Sequence, residues 1–458
     1  MNRAGIVPKG STREQHNMKP AVICYIMPRS KSSASGVSMA TKNAFYAQSG
    51  GVTAVINASA CGVIETARKH PDKIGKVYAG NNGILGALTE DLIDTSAESD
   101  TAIAALKHTP GGAFGSCRYK LRSFEENRRE YERLVEVFRA HNIGYFFYNG
   151  GGDSQDTAHK VSQISEKMGY PITCIGIPKT VDNDLPFTDC SPGFGSVAKY
   201  VAISIREGAL DVASMCESST KIFILEVMGR HAGWIAAAGA LARQDGFPAP
   251  QVIVFPEIPF EQEAFLAKVQ QSVKQDGFCA IVVSEGAQRR DGTFLADSGG
   301  KDAFGHTQLG GVAPYLAQLI KKELGYKYHW ALADYLQRAA RHIASATDVD
   351  HAYAMGQSAV EFALAGKNAV MPIIVRNPGA QYSWTIGEAN LAEVANVEQK
   401  MPKDFISPCG FDVTQPCLDY LQPLIQGESY PPYQNGIPMI AQLKKVKVAK
   451  VLNTHFSI

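Results

Sequence analysis

Apolar and polar positions fall in blocks along this chain, and the blocks recur in one order. Residues 172–177 have the length and β-branched content of a strand buried on both faces, and they empty into Pro178-Lys179-Thr180-Val181-Asp182-Asn183-Asp184. Asn43 to Ala47 reads as a strand running into Gln48-Ser49-Gly50-Gly51, with a helical segment from about Ala54 to Lys69 behind it. Glu125 to His141 is charged and amphipathic, which predicts a surface helix, and Ile143 to Tyr148 is a strand delivering Asn149-Gly150-Gly151-Gly152-Asp153-Ser154. Lys221 to Val227 enters Met228-Gly229-Arg230-His231-Ala232-Gly233-Trp234, Gln251 to Phe255 ends at Pro256-Glu257, and Phe278 to Ser284 ends at Glu285-Gly286. Strand, then glycine or charge, then helix is the repeating unit. It predicts an α/β protein of mainly parallel sheets flanked by helices, with ligands outside the carboxyl ends of the strands.

Length and charge narrow the picture. At 458 residues the chain is too long for one small core, which implies two or three domains or one large α/β body. Lys and Arg number 45 against 44 Asp and Glu, and that balance argues against a nucleic-acid or membrane-surface binder while leaving room for a local basic phosphate pocket. No apolar run approaches the roughly 18 residues of a membrane span. The nine cysteines are scattered and never spaced as a CxxC pair, a pattern suited to free thiols in a reducing cytoplasm. Residues 1–40 mix Lys, Arg, Ser and Gly around one short apolar patch and are expected to be a disordered extension rather than a signal peptide. From Met401 the composition turns to Pro, Tyr and Gln before a basic stretch at Lys444 to Lys450, so 401–458 is expected to pack on the body or at an interface.

Candidate chemistry gathers after residue 177. If that segment stays extended, Thr180, Asp182 and Asp184 turn to one side, where one carboxylate can take a proton from a hydroxyl while its neighbour holds a metal; Lys179 then faces away or sits at the bend. Asp-Asn-Asp is also ordinary turn chemistry. Gly50-Gly51 at a strand-to-helix turn suits an anion, and the loop Pro110 to Lys120 is glycine-rich and ends in Arg118, which can donate twice to a phosphate. No P-loop lysine motif, protein-kinase signature or metal-spaced His/Cys cluster is present.

Four of these blocks, Ser49-Gly50-Gly51, Gly150-Gly151-Gly152-Asp153-Ser154, Pro178 to Asp184 and Glu226-Val227-Met228-Gly229-Arg230, together with Tyr335-Leu336-Gln337-Arg338, resemble the phosphofructokinase family, in its pyrophosphate-dependent branch, from about Lys42 to Gly366. The resemblance implies two Rossmann-like domains: a donor-binding one over 41–195, completed by a segment near 305–345, and a sugar-phosphate-binding one over 196–400. It implies reversible phosphoryl transfer from pyrophosphate to the 1-hydroxyl of fructose 6-phosphate, a glycolytic step, with Mg²⁺ as cofactor and a homodimer or higher homo-oligomer as the assembly. Asp182 would be the general base and Asp184 an Mg²⁺-associated carboxylate. Thr180, Met228, Gly229, Arg230, Glu285, Tyr335 and Arg338 would hold the sugar phosphate, and Gly51 and Arg118 would face the donor. Lys221, with His329 or Lys327, stands where basic groups of a second subunit complete the site. Asp153 and Lys179 stand where ATP-using relatives carry glycine; a carboxylate at 153 repels a nucleotide α-phosphate, and Lys179 neutralises the leaving phosphate. Gly152 replaces an aspartate that contacts the metal in relatives, leaving Asp153 and Asp184 for that ion. Phe304 to Gly311 mimics the sugar-phosphate block but has Leu309 in place of its arginine, so Arg338 is preferred. An ATP-dependent enzyme and a catalytically silent sugar-phosphate-binding subunit are the alternatives.

Overall fold

Residues 41–301, 307–454, 456 and 457 are described by the computed structural model. The expectation for 1–40 therefore lies outside the described residues.

Aromatic and β-branched runs form the strands where the blocks predict them. In chain order these are β1 (Lys42–Ser49), β2 (Ile74–Gly80), β3 (Leu92–Asp94), β4 (Ser116–Cys117), β5 (Ile143–Gly150), β6 (Thr173–Pro178), β7 (Ile222–Val227), β8 (Val252–Val254), β9 (Cys279–Ser284), β10 (Asp297–Lys301), β11 (Thr307–Leu309), β12 (Tyr328–Leu332), β13 (Val370–Arg376) and β14 (Trp384–Asn390). The larger sheet runs β14-β13-β6-β5-β1-β2-β3, with β4 beside β1. Its central pairs β6/β5, β5/β1 and β1/β2 are parallel and its outer pairs β13/β14 and β2/β3 antiparallel. The smaller sheet runs β12-β7-β9-β8, every pair parallel. Central strands are buried almost end to end, as continuous apolar runs in helix-covered parallel sheets must be.

The stretch that returns to the larger sheet is 370–390, through β13 and β14, whereas β12, from the stretch near 305–345, joins the smaller sheet beside β7. The physical reason is pattern: Val370-Met371-Pro372-Ile373-Ile374-Val375 is an apolar run able to lie against buried β6, while β12 leaves Trp330 and Leu332 exposed and forms an edge.

Carboxylates fix where two helices begin. Asp348 accepts from the amides of Gly193 and Ser196 at 2.8 and 2.9 Å, at the start of the helix Phe194–Met215. Glu226, at the end of β7, accepts from Gly311 and Ala313 at 3.0 and 2.7 Å and so caps the helix Val312–Leu324. The chain after residue 400 lies on the body. Phe411 O accepts from Ile253 N along β8, and residues 446–448 bond to Asp94 and Leu92 along β3. Two sheet edges are thereby covered, which removes open ladders.

Candidate active site

Register brings the strand ends level. Gln48 pairs with Asn149 and Gly150 with Pro178, so the turns after β1, β5 and β6 emerge side by side; Val227 pairs with Ser284, which sets the exit of β7 beside that of β9. Between these turns lies a cleft of about 330 Å³. Gly51, Arg118, Asp153, Lys179, Thr180, Asp182, Asp184, Met228, Arg230, Glu285, Tyr335 and Arg338 all line it. Gly229 sits between two lining residues, and its φ of 132° together with 2.6 Å from a built Cβ to Ala232 O leaves room for nothing larger than glycine.

The reaction segment is a turn, which corrects the extended reading. Thr180 makes a single parallel bridge with Gly193, its hydroxyl accepts from Asp182 N at 3.1 Å, and Asn183 takes a left-handed φ of 55°. Alternation stops there, so Lys179, Thr180, Asp182 and Asp184 all reach the same cleft instead of splitting between two sides. Lys179 is buried, and its ammonium donates to Gly51 O at 2.7 Å. Burial, with the Arg338 guanidinium second, pushes its pKa down to about 8.

Asp182 and Asp184 are open to the cleft and enclosed by protein on their other sides. Burial raises the pKa of both; for Asp182 the Asp184 charge adds to the effect and then Glu285. Glu285 is likewise pushed up to about 7 by burial, against the pull of Arg230. A carboxylate raised in this way is a better proton acceptor near neutrality.

Asp153 is salt-bridged to Lys120 at 2.5 Å, so its cationic partner is Lys120 and not Lys179. Nothing lies within 4 Å of a Cβ built on Gly152. A larger side chain would therefore have space there. Arg338 lies over the Tyr335 ring at 3.6 Å, and its Nη1 would meet a Cβ on Gly51 at 2.5 Å. The guanidinium therefore reaches the turn after β1. Gln337 accepts from Met228 N at 3.3 Å, tying the helix Asp334–Ala339 to the loop after β7. Leu309 to Gly311 lie outside the cleft beside Glu226, and His306 falls outside the described residues.

Lys221 does not line the cleft. It sits at the opposite end of β7, its ammonium on Cys216 O at 2.6 Å, with Lys327 beside it through a backbone hydrogen bond. Sequence reasoning missed His231 and Glu398-Gln399-Lys400, which close one side of the cleft; His231 Nδ1 lies 3.1 Å from Glu398, and Gln399 N donates to Asp184 O at 2.7 Å. Nothing in the pattern around 398–400 pointed there, because β13 and β14 carry that segment back from far along the chain. Among the described residues no cluster of three or more His, Cys, Asp or Glu side chains is placed to hold a metal. Asp153 and Asp184, which both line the cleft, nonetheless fit an ion that keeps most of its waters and takes substrate phosphate oxygens.

Neighbouring carboxylates, a buried cation and a glycine turn converging on parallel strand ends have the make-up of a phosphoryl-transfer site in an α/β enzyme. The chain belongs to the phosphofructokinase family, whose model, Phosphofructokinase, matches residues 43–363. A relative from Halomonas elongata, named pyrophosphate--fructose 6-phosphate 1-phosphotransferase, is 68% identical over 90% of this chain and 99% of its own length. One of the same name from Methylococcus capsulatus is 66% identical over 92% of this chain and 100% of its own. The crystal structure of a pyrophosphate-dependent phosphofructokinase from Marinobacter aquaeolei superposes with a TM-score of 0.84 at 67% identity, covering 91% of this chain and all of that one.

Proposed function

We propose that this chain reversibly transfers phosphate from pyrophosphate to the 1-hydroxyl of fructose 6-phosphate, giving fructose 1,6-bisphosphate and phosphate. The observation that carries the reading is the meeting, in one cleft, of Asp182 with a buried Lys179 whose ammonium sits on the Gly51 turn. Asp182 accepts the proton of the 1-hydroxyl as the oxygen attacks. Lys179 lies where charge builds on the departing phosphate, and Arg118 holds the donor from the other side. Thr180, Met228, Gly229, Arg230, Glu285, Tyr335 and Arg338 hold the sugar phosphate. The names of the relatives support the donor and the acceptor.

Asp153 and Asp184 would hold Mg²⁺, which supplies neutralisation of the pyrophosphate charge when bound. Asp153, paired with Lys120, acts on the donor side by refusing the extra phosphate of a nucleotide. The assembly is a homodimer or higher oligomer in which Lys221, with His329 or Lys327, of one chain completes the cleft of another. The enzyme works in the cytoplasm, and no helix among the described residues is long and apolar enough to cross a membrane. Purified protein with Mg²⁺ and fructose 6-phosphate, assayed with either pyrophosphate or ATP, tests the proposal. A higher kcat/KM with pyrophosphate is expected; preference for ATP overturns it.

A further inference from the structure

We infer that Tyr420, on the helix Gln415–Leu421 and so outside the family-matched stretch 43–363, is a positioning residue for the general base. The inference rests on the assignment of Asp182 made above.

Asn183 stands between the two carboxylates in a left-handed conformation, φ 55°, which residues other than glycine take at a cost and keep only when their surroundings hold them. Its side chain is held at both ends. Oδ1 accepts from Ser191 N at 2.9 Å, and Nδ2 donates to Tyr420 Oη at 2.9 Å. Tyr420 Oη in turn donates to Asp189 O at 2.6 Å, so one hydroxyl joins the reaction turn to the bent segment that leaves it.

The tyrosine itself has little freedom. Its ring lies 5.2 Å from that of Trp234 and 5.7 Å from that of Phe405, and the Arg376 guanidinium covers it at 4.7 Å. Arg376 is fixed by Asp189 at 2.9 Å and donates to Tyr420 O at 3.0 Å. Trp234 opens the helix directly behind Met228-Gly229-Arg230, so the Tyr420 ring is wedged between the turn that carries the base and the loop on the sugar side. Asp184 O accepts from Gln399 N at 2.7 Å, a second tie from beyond residue 363. With the hydroxyl gone, the Asn183 amide is buried without its acceptor and cannot find bulk water, and the turn must shift to satisfy it. A shift of about 1 Å at a base is enough to slow in-line transfer by up to about a hundredfold while the sugar phosphate still binds.

The test is a double-mutant cycle on the full chain: Tyr420→Phe, Asn183→Gly, which keeps the left-handed backbone without the side chain, and both together. Phe405→Leu serves as a control that thins the same aromatic cluster and leaves the hydrogen bonds alone. Tyr420→Phe is expected to lower kcat about tenfold with KM for fructose 6-phosphate within about twofold, Asn183→Gly to do the same, and the pair to fall no further than Asn183→Gly alone, because both remove one link. Phe405→Leu is expected to lower Tm without moving kcat by more than about twofold. A Tyr420→Phe enzyme with parental kcat, or a double variant whose losses multiply to about a hundredfold, overturns the inference. Should Tyr420→Phe not fold, parental kcat in Asn183→Gly overturns it equally. A parent inactive with pyrophosphate overturns the functional reading as well, which separates the two failures.

Discussion

In the proposed role of general base, Asp182 serves catalysis at the expense of stability. Its folded pKa lies above that of the unfolded chain, chiefly through burial, so between the ordinary carboxylate range and neutrality the folded state keeps a proton that the unfolded state has released. Stability is thus full below the unfolded pKa and falls as pH rises through the folded one. Asp182→Asn is expected to raise unfolding stability at pH 8 by about 1 kcal/mol relative to the parent, discounted for cleft water, with little gain at pH 4. The same variant should lose roughly 10² to 10⁴ in kcat. Thermal melts at the two pH values and steady-state kinetics check both, and a base assignment does not survive an unchanged kcat. Donor choice also belongs to single residues. Lys179→Gly should slow the pyrophosphate reaction, by a few kcal/mol of lost charge stabilisation, with little gain for ATP. Asp153→Gly should weaken the pyrophosphate reaction and make ATP detectable; because Asp153 pairs with Lys120, it also frees a cation for the longer donor. The double substitution should move the ratio of kcat/KM values furthest. Kinetics of the parent and three variants with both donors decide it, and a ratio unmoved by Asp153→Gly removes the repulsion argument. These residues were legible because charge in place of glycine at a strand end is a local signal. The Asp153–Lys120 pair was not, since it joins a loop to the first turn of a helix more than thirty positions further along the chain.

The strands deliver chemistry only through the turns at their ends. Gly229 shows how tightly one of these is built: an added methyl meets Ala232 O at 2.6 Å, and φ 132° strains any other residue. Gly229→Ala is expected to cost about 1–3 kcal/mol of stability and to raise KM for fructose 6-phosphate more than it lowers kcat, since the loop binds the ground and transition states alike. Melting and initial-rate measurements test this, and a parental KM would place the loop away from the sugar. β6 was readable as an element because six apolar positions end abruptly in charge. The turn after it was not. Period-two reasoning assumes an extended backbone, and the Asn183 conformation that ends the alternation is held by Ser191 and Tyr420, contacts that no local pattern contains.

Across the whole molecule, β12 is a sheet edge whose Trp330 and Leu332 are 43% and 42% exposed, and Lys221 and Lys327 lie at its amino end, away from their own cleft. An apolar edge beside two lysines suits a second copy of the chain. Sedimentation is expected to give twice the chain mass or a higher multiple. Trp330→Glu should shift it toward the monomer and raise KM for fructose 6-phosphate; a monomeric parent of full activity would falsify the shared-site proposal. At this scale the division of labour is clear. The amino-acid sequence by itself determined the α/β class, the strands that end in glycine or charge, and most side chains of the cleft, because buried strands and the groups at their ends are encoded within a few consecutive residues. The tertiary structure alone decided that 370–390 completes the larger sheet, that Glu398 to Lys400 close the cleft, and that Lys120 faces Asp153. Those outcomes depend on which apolar run best covers a buried neighbour and on where a long connection returns, and both are settled by the packing of the entire chain.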